Sequence, residues 1–242
     1  ELNERIIEIY DRYSHKFTEL ELRSNTLYIV ATPIGNIEDI SFRAINILKK
    51  CDLIASEDTR NTNFLLQQYG IKNRTMSYYS HVESGKADYI ISEIASGKAV
   101  ALVSDAGTPC ISDPGNILVA KCIESGIDIV SVPGCSSLIH SLILSGFSSK
   151  KFYFQGFLPL KKGRKTLLEE LASVKMTLII FESPYRIYKT LKDILEVFGN
   201  KEVSVSREMT KKFEQVIRGR VKTIIERDIK TKGEFVIIIN NN

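Results

Sequence analysis

Short apolar segments alternate with amphipathic segments from residue 25 to residue 148. The apolar runs have the length and composition of buried strands, and between them apolar residues recur at helical spacing. The predicted strands are residues 27–31, 52–56, 75–79, 99–103 and 128–132. The predicted helices are residues 41–49, 62–69, 86–95, 117–124 and 136–144. This alternation predicts βαβ units on a parallel sheet.

The pattern changes near residue 148. Residues 151–157 alternate polar with aromatic side chains, and the predicted strands that follow are less regularly separated by helices. They are residues 177–181, 202–206, 214–219 and 234–240, with helices at 187–198 and 221–229. We therefore predict a two-domain α/β protein: a parallel-sheet domain at 25–148, a mixed-sheet domain at 149–242, and an amphipathic helical appendage at 1–24.

Four loops of unusual composition follow predicted strands of the first domain. They are Thr32-Pro33-Ile34-Gly35-Asn36, Ser56-Glu57-Asp58-Thr59-Arg60, Ser104-Asp105-Ala106-Gly107-Thr108-Pro109 and Pro133-Gly134-Cys135-Ser136-Ser137. In open parallel sheets, ligands bind outside the carboxyl ends of the strands, which is where these loops would lie. Their Gly and Pro residues fit backbone that approaches a ligand closely. Four unrelated turns are the alternative.

Composition narrows the class of protein only modestly. The chain has 242 residues, 43% of them hydrophobic and 26% charged, with a net charge of +4. That charge is compatible with an RNA partner without requiring one. We expect a cytoplasmic protein without a membrane segment, whose four cysteines are reduced thiols. The three histidines are scattered, so we expect no metal site.

The motifs that hold ligands by their phosphates are missing. Neither GxGxxG nor GxxxxGK[ST] occurs in the chain. The four loops instead offer backbone groups, hydroxyls and carboxylates with few cations. A nucleoside-like ligand without pyrophosphate, such as S-adenosylmethionine, fits that chemistry.

Other polar residues allow two interpretations each. Glu57 and Asp58 could bind cations or hydroxyls, or could cap the helix that follows them. The basic run Lys161–Lys165 could be a solvated face, or could follow an RNA backbone while aromatic residues 152–157 stack on bases. His140 interrupts an apolar helical pattern and is interpreted as a packed core residue.

Seven ordered motifs resemble those of a known family. They are Leu27-Tyr28-Ile29-Val30-Ala31-Thr32-Pro33-Ile34-Gly35-Asn36, Glu57-Asp58-Thr59-Arg60, Ser104-Asp105-Ala106-Gly107-Thr108-Pro109, Ser112-Asp113-Pro114-Gly115, Gly156-Phe157-Leu158-Pro159, Phe181-Glu182-Ser183-Pro184-Tyr185-Arg186 and Arg207-Glu208-Met209-Thr210-Lys211. Residues 25 to about 240 thereby resemble the ribosomal RNA small subunit methyltransferase I family of the tetrapyrrole methylase superfamily.

The resemblance implies an enzyme that methylates a cytidine ribose 2′-hydroxyl in the decoding region of 16S rRNA. It implies S-adenosylmethionine as the methyl donor, bound in a cleft between the domains, the small ribosomal subunit as the partner, and a homodimer. By position, the residues implied to bind the donor are Pro33, Gly35, Ser104, Asp105, Ala106, Gly107, Thr108, Pro133, Gly134 and Pro184. The resemblance also implies that Glu182 and Pro184-Tyr185-Arg186 face the donor from the second domain. The chain departs from the family at Tyr185, where a histidine is common, in the loop after Val132, and around His81.

Methyl transfer to a ribose hydroxyl calls for a base, and a carboxylate within hydrogen-bond reach could serve. The candidates are Asp105, Glu57 and Glu182, in that order. The candidates for binding RNA phosphates are Arg60, Lys161, Lys162, Arg164, Lys165, Arg186 and Arg207. Two alternatives stay open: methylation of a tetrapyrrole or another small molecule, and a non-catalytic module that only binds the cofactor.

Overall fold

The computed structural model describes residues 22–79 and 83–242. Contacts between residues divide the chain into two compact units, with the division between Cys135 and Ser136. The sequence puts the domain boundary near residue 148 instead. The difference is one helix, Ser137–Ser145, which packs on strands of the second unit. The predicted N-terminal helical appendage, apart from its last residues, and His81 lie outside the described residues.

The first unit contains a five-stranded parallel sheet. Its strands are β1 (Thr26–Val30), β2 (Leu53–Ser56), β3 (Thr75–Ser77), β4 (Ala99–Val103) and β5 (Asp128–Val132). They lie in the order β3-β2-β4-β1-β5, and every neighbouring pair is parallel. The structure thus confirms the parallel sheet that the alternating pattern predicts.

Helices cover both faces of this sheet. They are α1 (Phe42–Lys50), α2 (Thr59–Gln68), α3 (Glu83–Ala95) and α4 (Asn116–Glu124). Leu48 of α1 and Leu66 of α2 join one apolar core, and Ile90 of α3 and Leu118 of α4 join the core on the opposite face. Side chains of a strand point alternately to the two faces, so both cores draw on β1, β2, β4 and β5.

The order of the strands creates a switch point at β4. The connections that follow β1 and β2 run toward one edge of the sheet, whereas the connection that follows β4 runs toward the other. Right-handed crossovers put the corresponding helices on opposite faces. The backbone therefore diverges beyond the carboxyl end of β4, which is where doubly wound folds bind ligands.

The second unit holds a mixed sheet with helices packed against it. Its elements are α5 (Ser137–Ser145), β6 (Phe152–Phe157), α6 (Arg164–Ser173), β7 (Thr177–Glu182), α7 (Ile187–Phe198), β8 (Glu202–Arg207), β9 (Gln215–Arg220), α8 (Val221–Ile225) and β10 (Phe235–Asn240). The strands lie in the order β6-β7-β10-β8-β9. Only β6 and β7 are a parallel pair, and the other neighbours are antiparallel. The predicted mixed sheet is thus confirmed.

Helix α6 is an element that the sequence pattern missed. The basic run Lys161–Lys165 obscured its start, and Gly163 in the left-handed conformation precedes its first residue. Leu168 and Leu171 of α6 join α7 and α8 in the core on one face of the sheet. Leu138 and Leu142 of α5 pack on the other face, against Ile179 of β7 and Ile238 of β10.

Candidate active site

The loops after β1 and β4 are joined by backbone hydrogen bonds. Thr32 and Gly107 exchange both of their main-chain bonds, at 2.9 and 3.0 Å, as an isolated antiparallel bridge beyond two parallel strands. The Thr32 hydroxyl also donates to the carbonyl oxygen of Ser104 at 3.3 Å. These hydrogen bonds therefore hold the two loops in a fixed position relative to each other.

Glycine is required where the loops after β4 and β5 pass their neighbours. Gly107 has a φ of +85°, and a Cβ there would lie 3.2 Å from Cγ2 of Ile34. A Cβ on Gly134 would lie 2.9 Å from the Cβ of Ala31. The Thr108 hydroxyl donates to the Cys135 carbonyl oxygen at 2.9 Å, which joins these two loops as well.

Asp105 connects the β4 loop to the β2 loop. One of its carboxylate oxygens accepts the Asp58 main-chain N–H at 3.0 Å, and the other accepts the Asn61 side-chain amide at 2.9 Å. Asp105 is exposed at the surface, yet its carboxylate already holds two donors. All four loops predicted from the sequence thus meet at one edge of the first sheet.

Glu57 lies beside Asp105 and directly follows the neighbouring strand β2. Burial raises the pKa of the Glu57 carboxyl above its usual value, and the nearby negative charges of Asp105 and Asp58 raise it further. The Asp105 main-chain N–H acts in the opposite direction on that pKa. A carboxyl group with a raised pKa is a better proton acceptor than an ordinary one.

Asp58 serves the helix that follows it. It is the N-cap of α2, and its carboxylate accepts the Arg60 main-chain N–H at 2.8 Å. The Arg60 guanidinium pairs with the same carboxylate at 2.6 Å, and these hydrogen bonds lower the pKa of Asp58 to about 2. Of the two interpretations open for Asp58, the structure favours helix capping.

The second unit has a buried ion cluster at the carboxyl end of β7. We use this name for Arg164, Glu182, Arg186, Thr190 and Asp193. Glu182 is only 2% exposed, and its carboxylate accepts the Ser183 main-chain N–H at 2.7 Å and the Thr190 hydroxyl at 2.5 Å. Arg186 pairs with it at 2.7 Å and Arg164 at 3.9 Å.

The basic candidates separate into exposed and internal residues. Lys161 and Lys162 are exposed, as is Lys165, which pairs with Glu196 at 3.2 Å. Arg164 is 5% exposed and binds Asp193, Thr190 and the Pro159 carbonyl oxygen. Arg207 is also buried, with its guanidinium on the carbonyl oxygens of Lys232 and Phe213. The positions of Arg164 and Arg207 favour structural roles over RNA contact.

The candidates for binding the methyl donor also comprise buried and exposed residues. Pro33, Ser104 and Gly107 are buried and shape the loops, whereas Gly35, Asp105, Ala106, Pro133 and Gly134 are exposed at the edge. Thr108 and Pro184 are half-buried. Pro184 belongs to the second unit and is the one candidate of this group that lies outside the first.

Sequence reasoning missed three residues that hold these sites together. Asn61 binds Asp105, and Thr190 and Asp193 complete the ion cluster. Asn61 directly follows the Glu57–Arg60 motif, so the sequence could have indicated that it belongs to this site. Thr190 and Asp193 lie one and two turns along α7 from Arg186, a spacing that puts them on one face.

His140 is not the core residue that its sequence context predicts. It is exposed on α5, because that helix buries the face that carries Leu138 and Leu142. Within 22–79 and 83–242, no group of three or more His, Cys, Asp or Glu side chains could hold a metal ion. No helix of the same ranges is long and apolar enough to cross a membrane.

Comparison with known proteins decides the family. A family model described as Tetrapyrrole (Corrin/Porphyrin) Methylases matches residues 26–225. A Halalkalibacterium halodurans protein named Ribosomal RNA small subunit methyltransferase I is 46% identical over 220 residues, 90% of this chain and 76% of that protein. Its namesake in Thermotoga maritima is 44% identical over 216 residues, 88% of this chain and 97% of that protein. The chain belongs to the ribosomal RNA small subunit methyltransferase I family.

Solved structures agree on the fold of this methyltransferase. A cobalt precorrin-4 methyltransferase has a TM-score of 0.64 at 19% identity, over 88% of this chain and 94% of its own. A uroporphyrin-III-C-methyltransferase from Thermus thermophilus has a TM-score of 0.61 at 16% identity, over 90% and 95%. The predicted tetrapyrrole-methylase-like fold is thus confirmed. Membership of the family also confirms that the protein is a methyltransferase and that its methyl donor is S-adenosylmethionine.

We call the four loops, residues 32–36, 56–60, 104–109 and 133–137, the loop edge of this methyltransferase. Its chemical groups suit S-adenosylmethionine. S-adenosylmethionine carries hydroxyls, a carboxylate, an ammonium group and a positive sulfonium, and no phosphate, so its net charge is positive. The four loops supply carboxylates at Glu57 and Asp105, and their one cationic side chain, Arg60, is paired with Asp58. At Gly107 and Gly134, side-chain-free backbone passes closely packed neighbours. A cationic nucleoside suits this edge better than a nucleotide would.

Proposed function

We propose that this enzyme transfers a methyl group from S-adenosylmethionine to the 2′-hydroxyl of a cytidine ribose in the decoding region of 16S rRNA. The observation that carries the proposal is the likeness, at 42–46% identity over about nine-tenths of the chain, to proteins named for this rRNA. The acidic loop edge of the first unit supports it with a group suited to proton removal. The assembled small subunit is the proposed substrate.

The proposed donor site is the loop edge of the first unit. Gly35, Ala106, Pro133 and Gly134 present exposed backbone there, and the buried Pro33, Ser104 and Gly107 hold its shape. The bound donor supplies an electrophilic methyl carbon on sulfur. Rigid loops favour the in-line approach that displacement needs, because much of the rate gain in such reactions comes from positioning.

Glu57 is the proposed general base. Asp105 already accepts two donors, and Glu182 is enclosed by two guanidinium groups, whereas burial and neighbouring acids raise the pKa of Glu57. As the ribose oxygen bonds to the methyl carbon, the hydroxyl proton passes to the Glu57 carboxylate. The carbon–sulfur bond breaks with its electron pair on sulfur, which leaves S-adenosylhomocysteine and the methylated ribose.

Transfer of tritium from methyl-labelled donor tests the proposal. Small subunits from cells that lack the enzyme should accept label in 16S rRNA, at one nucleotide that resists alkaline cleavage on its 3′ side because the 2′-oxygen is blocked. Absence of label from rRNA in subunits and in naked form would refute the rRNA proposal. Label in a porphyrinoid would then establish the small-molecule alternative, and donor binding by calorimetry with no transfer would establish a binding module.

We also infer a homodimer, which the family resemblance implies. Light scattering coupled to size exclusion measures the mass directly. A mass of one chain, 27.3 kDa, at micromolar concentration would contradict this inference and leave the reaction proposal intact.

A further inference from the structure

The turn after β7 presents an aromatic side chain almost entirely to solvent. Tyr185 is 94% exposed, far more than its buried neighbours in sequence, Glu182 and Ile187. The turn closes with a hydrogen bond from the Arg186 main-chain N–H to the Ser183 carbonyl oxygen at 3.1 Å. Tyr185 lies at the tip of this turn.

The buried ion cluster holds the turn in place from below. Glu182 accepts the Ser183 main-chain N–H at 2.7 Å and pairs with Arg186 at 2.7 Å, so both ends of the turn are bound to one buried carboxylate. The Arg186 guanidinium also donates to the Ser183 hydroxyl at 3.3 Å. A turn so constrained loses little backbone freedom when its aromatic side chain binds a partner.

The same cluster attaches a second loop beside this turn. Arg186 donates to the Leu158 carbonyl oxygen at 3.1 Å, and Arg164 donates to the Pro159 carbonyl oxygen at 3.2 Å. The attached loop, residues 158–163, continues from the end of β6, whose neighbour in the sheet is β7. The turn and the loop thus leave the same edge of the second sheet.

The loop adds positive charge and further apolar surface. Lys161 and Lys162 are exposed, and Leu160 between them and β6 is 72% exposed. Phe157, at the end of β6, is 54% exposed and packs edge-on against Phe181 with ring centroids 5.7 Å apart. We call Phe157, Leu160, Lys161, Lys162 and Tyr185 the aromatic–basic surface.

We propose that the aromatic–basic surface binds a single-stranded segment of the RNA substrate, with Tyr185 stacked on a base and Lys161 and Lys162 at phosphates. Proteins recognise single-stranded RNA by stacking bases on aromatic side chains while cations follow the backbone. The inference rests on the proposed rRNA substrate. It assigns Tyr185 to the RNA, although the family resemblance implies that Pro184-Tyr185-Arg186 faces the methyl donor.

Binding of a fluorescein-labelled single-stranded oligoribonucleotide of decoding-region sequence tests the stacking. Base–aromatic stacking contributes enough that Tyr185→Ala should weaken binding about 5- to 140-fold. Tyr185→Phe keeps the ring and should bind like the wild type. Tyr89→Ala, at an exposed tyrosine on α3 in the first unit, is the matched control and should also bind like the wild type.

Salt dependence separates stacking from charge. Tyr185→Ala should leave the slope of log affinity against log salt unchanged, because it removes no ionic contact. The double variant Lys161→Ala/Lys162→Ala should reduce that slope by about 1.4, since each phosphate contact on single strands contributes about 0.7. A changed slope in Tyr185→Ala, or an unchanged one in the double variant, would contradict the assigned roles.

The results also separate this inference from the proposed function. If the wild type labels small subunits and Tyr185→Ala binds the oligonucleotide equally well, the inference fails and the rRNA substrate stands. If Tyr185→Ala weakens the methyl donor in calorimetry and not the RNA, Tyr185 belongs to the donor site and the inference fails. If the wild type labels no RNA at all, the proposed function fails first.

Discussion

Glu57 and Glu182, the second and third candidate bases by sequence, lie in opposite surroundings. Glu57 is half-buried among other acids, and burial and Asp105 raise its pKa. Glu182 is buried between two arginines and two further donors, all within its own unit. The difference teaches that an acid at a strand end is identified by its partners: negative neighbours favour proton transfer, and positive neighbours favour structural anchoring.

Removal of the Glu57 carboxylate should have the largest effect. Glu57→Gln should lower the single-turnover rate of methyl transfer about 100- to 10,000-fold, the usual contribution of a general base. Folding should not suffer, because the raised pKa means that the charged form is disfavoured at this site. The variant should therefore unfold at the same or a higher temperature at neutral pH. An unchanged transfer rate would exclude Glu57 as the base.

Disruption of the buried ion cluster should mainly lower the free energy of unfolding. Glu182→Ala leaves Arg186 and Arg164 facing each other in a buried site, and loss of one partner from a buried pair costs about 3–5 kcal/mol. Urea denaturation measures this loss. A stable variant with a strongly reduced transfer rate would reverse the comparison and make Glu182 the catalytic base.

The exposed ion pair between Lys165 and Glu196 provides a matched control. Lys165, next to Arg164 on α6, pairs with Glu196 on α7, and both side chains are well exposed. Glu196→Gln should change the unfolding free energy by less than about 1 kcal/mol, as exposed pairs do. The two variants thus compare a buried and an exposed ion pair at neighbouring residues of α6, Arg164 with Glu182 of β7 and Lys165 with Glu196 of α7.

A side chain at Gly134 tests the packing of the loop edge. A Cβ at this position would lie 2.9 Å from the Cβ of Ala31, so one of the loops must shift. Gly134→Ala should cost about 1–3 kcal/mol, as overpacking does, and should weaken donor binding in calorimetry. Gly85→Ala on α3 meets no atom within 4 Å and should be neutral or stabilising. Equal behaviour of the two variants would contradict a close-packed edge.

The sequence predicts more of the fold than of the site. Local alternation predicts the first sheet and its loops because strand and helix periods are properties of neighbouring residues. The environment of Glu182 depends on Arg164 and Asp193, which are distant from it along the chain, and no local pattern carries that information. Arg164 and Lys165 are adjacent in one basic run, yet one is buried and the other exposed, because successive helical residues point about 100° apart.

The smallest change we expect is a shift of the pH profile in Asp105→Asn. The amide can accept the Asp58 main-chain N–H, and a turned Asn61 amide can pair with its nitrogen, so the loops keep their connection. The negative charge that helps raise the pKa of Glu57 is gone. Since the base acts when deprotonated, the fall in rate on acidification should move to lower pH, with the plateau rate at saturating donor retained. A plateau lost at every pH would instead make Asp105 the base, and the raised pKa of Glu57 would then have no part in the proton transfer.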